Sequence, residues 1–258
     1  MKLDNKRALL SYVCAALIAA AGFFLLPLVI TGREITLIGY YALNAVQQLF
    51  LFVVPSLISL RANEGRWQRF KGQLRPMDSE TAGYCMLLAV AATVVVSLVI
   101  ALWMPMVEAF LGYIPEDTPL PKPEGAAQWA LSVLCIAVIP GVSEELFFRA
   151  FLQTTLAKYL PRAAVWITAA AFAALHFDFV GLPGLLLLGW LLGKMLQRRG
   201  LPVSMLFHAL YNAAVLLLNY KEAEIGSLAV LLCMIAFFFS TKRLMREEEK
   251  DALDGTGM

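Results

Sequence analysis

Charge is scarce in this chain. Only 16% of the 258 residues are Asp, Glu, Lys or Arg, while 60% are hydrophobic. A soluble domain of this size carries about a quarter charged residues, so that class is excluded. Cysteine is scarce too. Cys14, Cys85, Cys135 and Cys233 fall in separate apolar runs with no C-x-x-C pair. That spacing excludes a disulfide framework and a thiolate metal site, and leaves buried thiols acting as small apolar side chains. There is no H-E-x-x-H and no G-x-S-x-G. Ser204 lacks a Gly-rich nucleophile turn, and Asp178, near a span end, has no second intramembrane aspartate. The familiar zincin, serine-hydrolase and aspartyl-dyad patterns are thereby set aside. No internal repeat is visible, which argues against a repeat-built transporter.

What is abundant is apolar sequence long enough to cross a bilayer, for which about 20 residues are needed. Eight spans are expected, near 8–30, 36–60, 81–107, 127–157, 163–177, 182–197, 201–219 and 225–241. The first has a basic start like a signal peptide, but its apolar run is long enough to span. The fifth and sixth are short, as expected of segments lining an enclosed cavity. The expected fold class is therefore all-α, a polytopic membrane helix bundle with a central intramembrane cavity. Of 21 Lys and Arg, only Arg33, Lys122 and Lys221 fall in the segments assigned outside, and Arg149 lies within a span. This asymmetry places both termini in the cytoplasm. In "EGRWQRFKGQLRP", Trp67, Phe70 and Leu74 recur at helical spacing among basic residues. That pattern fits an interfacial helix, or equally an ordinary juxtamembrane loop. The Pro-rich segment "GYIPEDTPLPKPEG" reads as an extended connector. The organisation expected is residues 1–125 as the first three spans, 126–245 as a catalytic core, and 246–258 as a solvated tail.

Against this background the intramembrane polar residues stand out, because charged side chains within spans usually face the bundle interior and do work there. Glu144, Glu145 and Arg149 occur together in "GVSEELFFRAFL". Glu145 and Arg149 are at i, i+4 and can pair on one face. Glu144 points about 100° away, without a local cation, and is free to face a cavity. Pro140 and Gly141 just upstream could kink the helix and open space. Both histidines of the chain, His176 and His208, lie in apolar runs, and Asn212 follows His208 by one turn. Glu144 and His176 each lie about 21 Å along their helices from the nearest basic boundary, so similar depth permits contact. A lone core histidine is usually a satisfied polar residue, but here both histidines accompany an unpaired glutamate.

Low dielectric disfavours the charged form of such a glutamate, which suits a general base near neutral pH. One histidine can hold the same water, and the other histidine with the amide can donate to a developing oxyanion. Glu144, His176 and His208 are equally a familiar zinc ligand set with an open water position. Residue types leave both mechanisms open.

The motifs also carry a resemblance. "EELFFR" resembles E-E-x-x-x-R, "FAALH" resembles F-x-x-x-H and "HALYN" resembles H-x-x-x-N, in that order. In these the chain resembles the CPBP intramembrane proteases, the CAAX-protease and bacteriocin-processing (Abi) family. The resemblance covers about residues 140–212. It implies a peptide hydrolase in which Glu144 activates water with His176, His208 and Asn212 stabilise the oxyanion, and Glu145 and Arg149 support the site. It implies no favoured cofactor, with zinc possible. The partners it implies are the lipid bilayer and a membrane-anchored peptide or protein substrate, with no nucleic acid. The expected location is a bacterial plasma membrane. The competing expectation is a noncatalytic scaffold or bacteriocin-immunity protein of the same family.

Overall fold

The computed structural model describes residues 36–62, 64–115, 122–221 and 226–246, and every regular element among them is helical. In chain order these are α1 (Leu37–Arg61), α2 (Glu64–Gln73), α3 (Ser79–Leu111), α4 (Gly125–Leu156), α5 (Ala164–Ala174), α6 (Leu182–Arg199), α7 (Leu201–Lys221) and α8 (Ser227–Met245). The expected span at 8–30 and the solvated tail lie outside the described residues. Five helices are long and apolar enough to cross a membrane: α1, α3, α4, residues Leu201–Leu218 of α7, and α8. Of the two segments expected to be short, α5 is, with 11 residues. α6 is not: it has 18, and carries Lys194, Arg198 and Arg199.

Local chemistry accounts for the ends of the longest helix. Asp78 caps α3 by accepting from Thr81 N at 2.6 Å, and Gly112 closes it in the left-handed region at φ 78°. α3 forms the spine of the bundle against α7, α8 and α6, with Leu88, Ala89, Ala92 and Val96 in the core. Small residues let neighbouring backbones meet. A Cβ on Gly189 of α6 would lie 2.9 Å from Ala169 Cα of α5, and one on Gly141 of α4 would lie 2.7 Å from Ala209 N of α7. Lipid gives helices no hydrophobic reason to associate, so such close approach is a principal source of packing energy. Gly141 therefore closes space. The expectation that it helps open a gap is corrected by the backbone it touches.

Two helices are locally wide. α1 has a π-type stretch at Leu49–Val53, and α4 has two, at Val133–Val138 and Leu146–Gln153. Pro55 and Pro140 follow the upstream stretches by two residues. Proline has no N–H to return to the preceding turn, and a widened turn accommodates its ring. The basic segment before α3 is a helix, α2. Its Trp67 and Phe70 stack at 5.2 Å and pack on a second core of Leu60, Ala150, Phe151, Leu196 and Leu201. Arg69 and Arg66 approach Lys158 after α4. Burial first, and then these two charges, push its ammonium below the usual lysine range.

Candidate active site

The two adjacent glutamates sit in the α-helical stretch Ile139–Glu145, between the two wide stretches of α4. Their side chains diverge as one residue step on a helix requires. Glu145 is fully buried. Its Oε2 lies 3.2 Å from Arg149 Nε and accepts from Ser204 Oγ, while its Oε1 lies 3.1 Å from His208 Nδ1. Arg149 is fully buried as well. Its Nη2 donates to Gly189 O at 3.2 Å, and its guanidinium stands 4.9 Å from the Phe172 ring centroid. The expected pairing of Glu145 with Arg149 is present, and Glu145 also has a second task in holding His208.

Glu144 is 7% exposed and lines two cavities. Its Oε1 accepts from Gln48 Nε2 at 3.0 Å, and its Oε2 is buried without a hydrogen-bond partner. His208 Nε2 lies 3.9 Å from that oxygen, beyond hydrogen-bond reach. His208 therefore spans both glutamates, with one ring nitrogen toward each.

His176 is placed by the turn that ends α5. Its Nδ1 lies 2.7 Å from Phe172 O, and its ring rests on that of Phe172. A carbonyl only accepts, so Nδ1 carries the proton and Nε2 is left with a lone pair. The next residue, Phe177, has φ 51°, a left-handed conformation uncommon outside glycine. Asp178 Oδ1 then accepts from Gly181 N at 2.7 Å ahead of α6. Asp178 is thus a turn-capping residue.

The larger cavity, about 460 Å³, is lined by Glu144, His176, Asp178, His208 and Asn212 together with Tyr211, Phe172 and aliphatic side chains. A neighbouring cavity of about 420 Å³ is lined by Glu144, His176, Leu51, Phe52, Phe147 and Phe148. Asn44, Gln48, Glu144 and His176 line both. The structure thus brings Glu144, His176, His208 and Asn212 to one cavity, and it sets Glu145 and Arg149 behind them.

Sequence reasoning missed Gln48, Asn44 and Ser143, and it weighed Ser204 only as a nucleophile. Ser143 Oγ donates to Gln48 Oε1 and lies 2.8 Å from Ile139 O. Ser204 supports Glu145. The available signal was "LNAVQQLF", which sets amides four residues apart within an apolar span.

The donor set can be tested for a metal. Among the described residues, no three His, Cys, Asp or Glu side chains form a group that would hold one. Glu144, His176 and His208 do not form such a group in this arrangement.

Glu145 and Arg149 form a fully buried ion pair, and Glu144 stands beside it with one oxygen unpartnered. A carboxyl with one free oxygen, beside an imidazole with one free lone pair, can bind water and accept its proton.

Comparison with known proteins bears on the same segment. Residues 126–214 match the family model described as type II CAAX prenyl endopeptidase Rce1-like. This segment is similar to that family. The match agrees with the CPBP resemblance and contains Glu144, Glu145, Arg149, His176, His208 and Asn212. The Rce1-like family is a protease family, so the match and the five apolar helices together support a membrane-embedded peptidase. No curated protein matches the chain. No solved structure matches it either.

Proposed function

We propose that the protein is an intramembrane endopeptidase that hydrolyses a peptide bond near the membrane-anchored end of a substrate. The observation that supports this reading best is the unpartnered, buried Oε2 of Glu144 in a cavity that also holds His176, His208 and Asn212. In this mechanism a water sits between Glu144 Oε2 and His176 Nε2. Glu144 takes its proton as the oxygen attacks the scissile carbonyl carbon. The carbonyl π electrons move to oxygen, and the oxyanion is held by the Asn212 amide and a protonated His208 Nε2. Glu144 then returns its proton to the amide nitrogen, the C–N bond breaks, and an acid and an amine leave. Glu145 keeps Nδ1 of His208 protonated and is itself held by Arg149 and Ser204. No step of this mechanism is routed through a metal.

The substrate class follows the matched family, a protein with a lipid-modified or otherwise membrane-anchored end. We place both termini on the Lys- and Arg-rich side, in a bacterial plasma membrane. The test is cleavage of a quenched peptide library, with and without a prenylated cysteine, by purified wild type and Glu144→Gln, each with and without chelator. Activity lost in Glu144→Gln and retained under chelation is the expected result. Loss under chelation with rescue by zinc would overturn the metal-free mechanism. Equal biological function of wild type and Glu144→Gln would sink the protease reading and leave a scaffold.

A further inference from the structure

We propose that α1, which lies outside the family-matched segment, supplies a second half of the active site. Gln48 is a positioning residue for Glu144, and Asn44 is a substrate-binding residue that accepts a hydrogen bond from a peptide N–H beside the scissile bond. The proposal rests on the reading of Glu144 as the water-activating base.

The geometry carries it as follows. Gln48 is 7% exposed within a span of 25 residues, where a polar side chain needs partners. Both ends of its amide are engaged by neighbouring residues of α4. Ser143 Oγ donates to Oε1, which turns the NH2 group toward Glu144, and Nε2 donates to Glu144 Oε1 at 3.0 Å. One carboxylate oxygen is thereby occupied, and the other is left for water. Without that bond the carboxylate is free to turn about its last single bond, and both oxygens compete for the water. Ser143 and Glu144 are consecutive, so a single side chain from α1 fixes the reactive turn of α4 across 96 positions of sequence.

Asn44 precedes Gln48 by one helical turn and shares its face. It lines both cavities beside Glu144, and its Oδ1 is buried without a hydrogen-bond partner. An unmet buried acceptor is costly, and the cost is relieved when a donor arrives. A peptide backbone carries one donor type, its N–H, next to every carbonyl that Glu144 can address.

The experiment uses the full chain in lipid nanodiscs with a peptide that wild type cleaves. Gln48→Met, which keeps the shape and removes the amide, should lower kcat about ten- to a hundredfold, the worth of a hydrogen bond to a charged group. KM and the melting temperature should stay near wild type. Gln48→Glu should regain activity on the acid side of the wild-type optimum, where the introduced carboxyl is protonated and can donate. A purely structural role would not move the pH profile. Asn44→Leu should raise KM about tenfold with kcat little changed.

One readout needs no turnover. The infrared carboxylate band that disappears in Glu144→Gln should change frequency in Gln48→Met, because the donor to one of its oxygens has gone. An unmoved band overturns the role of Gln48 whether or not a substrate is in hand. So does wild-type kcat in Gln48→Met when Glu144→Gln is inactive, and that outcome leaves the protease reading standing. If Glu144→Gln cleaves as well as wild type, the protease reading itself falls.

Discussion

Glu144 and Glu145 are neighbours in sequence, yet they serve two regions of the molecule built on opposite principles. Around Glu145 both carboxylate oxygens are occupied. Arg149, Ser204 and His208 fill its oxygens, Gly189 takes the guanidinium, and aromatic rings cover the pair. In front of Glu144 one oxygen is held by Gln48 and the other faces a cavity unpartnered. In the proposed mechanism stability belongs to the closed side and reactivity to the open one. A membrane helix can carry both because one residue step turns the side chain by about 100°.

This contrast can be broken from either side. The largest effect is expected on the open side: Glu144→Gln should cut the cleavage rate by about 10²–10⁴-fold, the worth of a general base. Its melting temperature in detergent should barely change. On the closed side, Arg149→Met leaves Glu145 buried without its cation and should cost about 3–5 kcal/mol of stability, read by thermal or denaturant unfolding. If Glu144→Gln unfolds the protein and Arg149→Met does not, the two regions have been assigned the wrong way round. Next in size is Gly141→Ala. Its new methyl would meet the Ala209 backbone at 2.7 Å, and overpacking of this kind costs about 1–3 kcal/mol. Ala at Gly72, which has open space around it, provides the control.

The smallest effect lies far from both glutamates, at the cap of α3. The Thr81 backbone N–H, then its hydroxyl, hold the Asp78 carboxyl below its ordinary value of 3.8. A depressed folded-state value means the contribution is complete above the ordinary value. It is lost as pH falls through the folded-state value. Asp78→Asn should therefore flatten the acid end of the stability profile below about pH 4 and leave neutral pH nearly unchanged. A variant with the same acid slope as wild type would show that the cap contributes nothing.

Much of this was legible before any coordinates. Apolar length locates the described helices closely, and helical spacing separates Glu145 with Arg149 from Glu144. Those are local properties, carried by residues within one or two turns. What hydropathy hides is the other half of the site. Gln48 and Asn44 lie in a run that reads only as a span, and the meaning of Gln48 depends on a partner 96 residues away. Gly141 was ambiguous for the same reason. Beside a proline, glycine can loosen a helix or admit a neighbour, and only the position of Ala209 decides. The second wide stretch of α4, Leu146–Gln153, was invisible as well, because no proline marks it.

His208 has a consequence for how α4 and α7 sit together. One edge of its ring lies 3.1 Å from Glu145 and the other 3.9 Å from Glu144, so a single side chain of α7 is set between two consecutive residues of α4. At the next residue of α7, Ala209 comes so close to Gly141 of α4 that a Cβ there would lie 2.7 Å from its backbone nitrogen. The two helices are keyed together at this level, and a slip of one along the other would break the backbone fit and the placement of the ring at once. The turn that lines the cavity with polar groups is thus also the turn that holds its walls in register.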